Sequence, residues 1–325
     1  MTILKKIMLL GVGLIVLSCQ QTKKATFLIL PTPQQSTVGE QFSSIAPENL
    51  VMAYSPTKVT LPKLFDFTKT LQETENESQA QVSFQINKEL DLPEQGYFLD
   101  ITDQRIIIEA KDDAGLFYGF VTLDQIAEDA SLQGVNLPIA QIKDYPELSY
   151  RSIHWDVKHH LDKETYYYDL IDNMSRQKIN CVILEIEDKL KYQTHPEIGS
   201  ADAFSSSQWL AISEYAMDRH ISISPLVQGL GHASFILKHP TYFELRDNPQ
   251  SDWAFNPLNQ KTYEVQFDLY DEALAITPHG KYLHVGGDEV KTTGRNSGQS
   301  AFCLLYTSDA ADEGLGVDLG GRRII

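Results

Sequence analysis

From Tyr150 onward, segments with strand character alternate with segments of helical period, and this alternation constrains the fold more than any other feature of the chain. Consecutive strands separated by helices pair in parallel, because a parallel partner can be reached only by a long crossover. The expected order is a strand over Tyr150–Val157, then a helix over Lys163–Gln177 capped by Asp162. A strand follows over Asn180–Ile186, then a helix over Ser207–Arg219 and a strand over Ile221–Gln228. The last pair is a helix over Tyr263–Ile276 and a strand over Tyr282–Gly286. Four strands with helices between them predict an α/β fold, the first half of a (β/α)8 TIM barrel. A closed barrel of this kind takes roughly 250 residues. Fewer follow Tyr150, so the chain reads as truncated after strand four.

The residues before Asp144-Tyr145-Pro146 follow a different pattern. Tyr97–Ile101 and Arg105–Glu109 read as strands joined by a tight turn at Thr102-Asp103-Gln104, and an amphipathic helix opens at Ala114 and runs through Gln125. The expected organisation is an α+β domain over 26–144 and a partial barrel over 145–300. Residues 301–325 show neither period. Their text, Cys303 to Glu313 with the ending Gly320 to Ile325, resembles a translated sequencing-adapter read-through, so they are set aside as an artefactual or disordered tail.

The opening residues read as a targeting segment. Lys5 and Lys6 precede an apolar run from Ile7 to Leu17 that is short for a membrane span. Leu17-Ser18-Cys19-Gln20 resembles a bacterial lipobox. It implies a signal peptide over 1–19, a lipid on Cys19 and attachment to the cell envelope. Two other cysteines, Cys181 and Cys303, make no disulfide or zinc pattern. Lys and Arg number 27 against 44 Asp and Glu, a net charge of −17. Nucleic-acid binding needs concentrated positive charge, so that class of partner is excluded.

In parallel barrels the reacting groups sit at the C-terminal strand ends, and polar residues recur there. Asp156 ends the first strand. Glu185, Glu187 and Asp188 end the second. Gln228 and His232 follow the third, and Asp288 and Glu289 follow the fourth. The last pair stands in His284-Val285-Gly286-Gly287-Asp288-Glu289, where two glycines admit a sharp turn and a close ligand. Two adjacent carboxyl groups in different surroundings provide one fixed anion and one proton carrier.

This stretch resembles the His-x-Gly-Gly-Asp-Glu signature of family 20 glycoside hydrolases, the β-N-acetylhexosaminidases. Glu185-Ile186-Glu187-Asp188, Pro225 to His232 and Phe235 to His239 are similar to the branch holding hexosaminidase D and streptococcal hexosaminidases, although Lys189-Leu190-Lys191 departs from it. The resemblance implies removal of terminal N-acetylglucosamine or N-acetylgalactosamine from glycans or chitooligosaccharides, with no cofactor and no metal. It implies that the substrate's own 2-acetamido group attacks the anomeric carbon, so the usual two-carboxylate scheme does not apply. Asp288 then steadies the acetamido group, and Glu289 protonates the leaving oxygen from a partly dry pocket. Asp188 partners His232 beside Glu289. Arg151, Asp156, Glu185, Gln228 and His284 are the implied sugar-binding residues. For Arg151 taken alone, a role in capping the interface between the two parts of the chain competes. Two other readings stand beside this one: a surface lipoprotein that grips glycan without cleaving it, and a metal-dependent hydrolase using His232, His284, Asp288 and Glu289.

Overall fold

The computed structural model describes residues 25–48, 50–55, 72–74, 76–158, 160–287 and 289–290. Cys19, Asp288, the leader over 1–19 and the tail over 301–325 lie outside the described residues. Among those described, no helix is long and apolar enough to cross a membrane.

The first part is a seven-stranded mixed sheet covered by one long helix. Its strands are β1 (Gln35–Phe42), β2 (Val51–Ser55), β3 (Gln72–Glu73), β4 (Val82–Ile86), β5 (Tyr97–Ile101), β6 (Ile106–Ala110) and β7 (Pro138–Asp144), in the spatial order β1-β7-β5-β6-β4-β2-β3. β5 and β6 form the expected antiparallel pair, closed where the Thr102 amide donates to the Arg105 carbonyl. Alternate residues of both strands are buried, the period of two that one covered face imposes. The cover is helix α1 (Asp113–Gln133), capped by the Asp112 carboxylate accepting from the Gly115 amide at 2.7 Å. It runs two turns beyond the expected end at Gln125. Ile126, Ala127 and Ala130 continue its buried stripe, and Gly134 in the left-handed conformation terminates it.

The second part is a four-stranded parallel sheet. β8 (Ser152–Asp156), β9 (Cys181–Glu185), β10 (Ser222–Gly229) and β11 (His284–Gly286) lie in sequence order. Register is level across the first three, with Ser152 opposite Cys181 and Cys181 opposite Ser222. Helix α2 (Glu164–Arg176) connects β8 to β9, and α3 (Ser206–Met217) connects β9 to β10. The short α4 (Ser234–Leu237) and then α5 (Gln260–Ala275) lie between β10 and β11. Every residue of β10 is buried, as expected of a parallel strand covered on both faces. The lateral strands differ: β8 is exposed apart from Trp155, and Val285 on β11 is 46% exposed. Asp162 does not cap α2. Lys163 stands at the cap with no side-chain bond, and the Asp162 amide donates to the Tyr167 hydroxyl instead.

The two parts meet at the N-terminal ends of the parallel strands. Arg151 is fully engaged there. Its Nε donates to the Lys178 carbonyl at 2.7 Å, and its terminal nitrogens reach the Leu148 carbonyl, Gln95 Oε1 and the Tyr118 hydroxyl. The expected sugar-binding role of Arg151 is therefore corrected. β8 carries the chain away from it, and Asp156 ends at the opposite edge of the sheet. The interface-capping alternative is the one this geometry matches.

Two helix-to-strand turns face the same seam. Lys178 and His220 both have positive φ, 56° and 58°, where glycine is usual after a helix. Each side chain has a reason to be there. Lys178 Nζ donates to Asp144 Oδ2 at 2.7 Å and the Tyr97 hydroxyl at 2.9 Å, while the His220 ring packs 5.0 Å from that of Phe117. Burial holds the Lys178 ammonium below its ordinary pKa, opposed by the charge of Asp144. Removing one partner of a buried ion pair leaves the other charge uncompensated. Lys178→Met is expected to destabilise the fold by about 3 kcal/mol, read as a lower urea midpoint. An unchanged midpoint would show that the seam does not depend on this pair.

Candidate active site

The C-terminal ends of β8, β9 and β10 are joined by a chain of polar contacts centred on Glu185. Its side chain is 2% exposed, and both oxygens are occupied. Oε1 accepts from Gln228 Nε2 at 2.8 Å and from Lys158 Nζ at 3.2 Å, and Oε2 lies 3.0 Å from His154 Nε2. A buried carboxylate persists only when its lone pairs are satisfied in this way. Glu185 and Gln228 were expected to touch sugar. The geometry makes them a buried frame, with Gln228 only 4% exposed. The Gln228 carbonyl oxygen approaches Gly286, where an added Cβ would stand 2.2 Å from it. Gly286 also has φ +67°. Conformation and space thus both demand glycine, and β10 and β11 are locked together at this point.

Asp156, expected as a ligand residue, does face solvent. Its side chain is 43% exposed and pairs with Lys158 Nζ at 3.0 Å. Partial burial opposes its ionisation, but the hydrogen bonds and charge of Lys158 outweigh that and hold its pKa below the ordinary carboxylate value. Lys158 is shared between Asp156 and Glu185. Its pKa is raised, because these two partners overcome the cost of desolvation.

The turn after β9 departs from expectation. Among the described residues Asp188 pairs with Lys189 at 3.4 Å and Lys238 at 3.3 Å, and not with His232. The short helix Glu187–Lys189 follows β9 directly, and Asp188 lies within reach of Lys238 at the end of α4. Glu187, seen in the sequence but given no role, has φ 39° and is 9% exposed. Burial first, and then the charge of Glu185, raise its pKa to about 8, with Asp188 and Asp156 adding and Lys158 opposing.

At the other end of the site His232 and Glu289 come together. Both have positive φ, 50° and 45°, an uncommon state for such residues that marks loops fixed by their surroundings. His232 Nε2 lies 3.6 Å from Glu289 Oε2, beyond hydrogen-bond distance. Trp253 completes the group: its indole N–H donates to the Glu289 carbonyl at 3.0 Å, and its ring lies 4.4 Å from that of His232. Sequence reasoning missed Trp253. It comes from the long segment between α4 and α5, which has no period or turn pattern to single it out. Glu289 is 62% exposed, so the dry surroundings expected for it are not supplied by the described residues. His284 is also exposed, and its Nδ1 accepts from the Gly286 amide at 3.0 Å within its own strand.

Two family models match the chain: "Glycosyl hydrolase family 20, domain 2" over residues 27–145, and "Glycosyl hydrolase family 20, catalytic domain" over residues 148–310. The chain belongs to glycoside hydrolase family 20. A β-hexosaminidase of Porphyromonas gingivalis is 27% identical over 300 residues, covering 80% of this chain and 38% of its own length. Bovine hexosaminidase D is 28% identical over 141 residues, 43% of this chain and 41% of its own. The chain thus spans about two fifths of the length of these family 20 relatives. Among solved structures, the β-N-acetylhexosaminidase of Bacteroides fragilis superposes with a TM-score of 0.72 at 22% identity, covering 88% of this chain and 61% of that one. An exo-β-N-acetylglucosaminidase of Vibrio harveyi, solved with N-acetylglucosamine, gives 0.70 at 20% identity, covering 88% and 52%. At these identities the superpositions establish the family 20 fold.

The proton on Glu187 couples stability to pH. Its folded pKa of about 8 stands above the ordinary 4.5. Between those values the folded protein keeps a proton that the unfolded chain has released, so stability falls as pH rises through this window. Glu187→Gln removes that dependence. The variant is expected to match the native protein below about pH 4.5 and to exceed it by a few kcal/mol above about pH 8. Denaturant titrations across pH check this, and a constant difference would contradict it.

Proposed function

We propose that this family 20 chain is the first part of an exo-acting β-N-acetylhexosaminidase, which removes terminal N-acetylglucosamine or N-acetylgalactosamine from glycans. Its four-stranded sheet is the first half of a (β/α)8 barrel. The exposure of β8 and β11 supports this, since these are the strands to which four more would pair. The lipobox pattern at Cys19 supports a lipid anchor in the cell envelope. Similarity to the hexosaminidase D branch rests on Glu185-Ile186-Glu187-Asp188 and on the bovine relative.

The observation that carries the proposal is the meeting of Glu289, His232 and Trp253 beside the ends of β10 and β11, in a chain matched by the family's catalytic model. Glu289 acts as the acid that protonates the leaving glycosidic oxygen and then as the base that activates water. Trp253 fixes its backbone, and His232 limits where its carboxyl group can turn. Asp288, next to it in sequence, holds the acetamido N–H of the substrate and balances the positive charge of the cyclised intermediate. The acetamido oxygen forms a bond to the anomeric carbon as the glycosidic bond breaks. Water later opens that ring and restores the acetamido group. Solvent around Glu289 is excluded by the substrate and by the later strands of the barrel.

General acid–base groups contribute about 10²- to 10⁴-fold to rate. Glu289→Gln in the full-length protein is therefore expected to lose roughly that factor on glycan substrates, whose leaving groups need a proton. It should lose much less on aryl N-acetyl-β-glucosaminides with acidic phenol leaving groups. Equal losses on both, or native turnover of chitobiose, would remove Glu289 from this role.

A further inference from the structure

We propose that Glu187 is a substrate-positioning residue of this site, whose carboxyl group donates a hydrogen bond to a hydroxyl or carbonyl oxygen of the bound sugar. The inference rests on the hexosaminidase reading and adds a residue to it.

The geometry singles out Glu187 within a crowded acidic cluster. Three neighbouring carboxylates are paired: Asp156 and Glu185 share Lys158, Glu185 also meets the His154 ring, and Asp188 has Lys189 and Lys238. Among the described residues no cation is paired with the Glu187 carboxyl group, although the residue is nine-tenths buried, at 9% exposure. Its backbone is held in place, since the buried Tyr192 hydroxyl donates to its carbonyl at 2.9 Å. The positive φ of 39° is offset by that surrounding structure. Among the described residues no side chain hydrogen-bonds the Glu187 carboxyl group, which leaves it open to a ligand, and Glu187 stands in the turn after β9, at the strand ends where ligands of parallel sheets bind.

Burial first, and then the cluster, fix its protonation. Glu185 from β9, Asp156 from the end of β8 and Asp188 from its own turn all disfavour a charge on Glu187. Lys158 opposes them, and Lys189 and Lys238 are engaged by Asp188. The group therefore keeps its proton at neutral pH and can donate, whereas ionised carboxylates only accept.

The test is binding of N-acetylglucosamine to the full-length protein by calorimetry at about pH 7 and pH 9. With a donor that ionises near 8, the competent fraction falls about tenfold over this interval, and apparent affinity falls with it. Glu187→Gln keeps a neutral donor of the same shape, so its affinity is expected to stay within about twofold across the range. Glu187→Leu is expected to bind at least about fivefold more weakly than native at pH 7. Three results would overturn the inference: native affinity flat with pH, the tenfold fall persisting in Glu187→Gln, or native affinity in Glu187→Leu at pH 7. If the native protein binds no N-acetylglucosamine at either pH, the hexosaminidase reading itself fails, and Glu187 falls with it.

Discussion

The buried carboxylate of Glu185 is the constraint around which the strand ends are organised. It draws His154 from within β8, Lys158 from just beyond it and Gln228 from β10 onto one point. Gln228 in turn sits against Gly286, so β11 is tied to the same frame. A charge this deeply buried penalises any arrangement that leaves its oxygens without partners. The same charge raises the cost of ionising Glu187 a turn away. One buried anion thus gathers three strands directly and a fourth through Gln228, and it adds to the burial that keeps a second carboxyl group neutral.

The opposite edge of the parallel sheet has a different task. Arg151, Lys178 and His220 all face the N-terminal α+β part, and each is engaged there instead of serving a ligand. The chain places two non-glycine residues at left-handed turns there, and each gains a contact across the seam. Parallel α/β folds commonly separate stability at the N-terminal strand ends from chemistry at the C-terminal ends. The division is visible within single strands of this protein, as in β8, which begins just after Arg151 and ends in Asp156.

The parallel sheet was legible in the sequence because helical and strand periods are local properties. Each strand from β8 to β11 overlaps the segment assigned to it. What failed was side-chain direction and partner choice. Arg151 reads as a ligand residue by resemblance, yet its position at the start of a strand sends it to the far edge. Asp188 is one residue from Lys189, and the short helical turn there gives it lysines instead of His232. Trp253 lies in a segment without periodicity, so only the folded loop reveals that it reaches Glu289. The extra turns of α1 were missed because beyond Ile126 its buried stripe continues through Ala127 and Ala130, which carry little hydrophobic signal. Residue types at strand ends could be read from the text, but which of them meet is decided by register and loop path.

The proposed chemistry makes one demand that no framework of carboxylates can replace: the sugar must carry its own nucleophile. The most direct measurement compares hydrolysis by the full-length protein of an aryl N-acetyl-β-glucosaminide and the matching aryl β-glucoside, which lacks the 2-acetamido group. The account predicts ready cleavage of the first and none detectable for the second. Comparable rates on both would mean that an enzyme group performs the attack, and the roles assigned to Asp288 and Glu289 would be wrong.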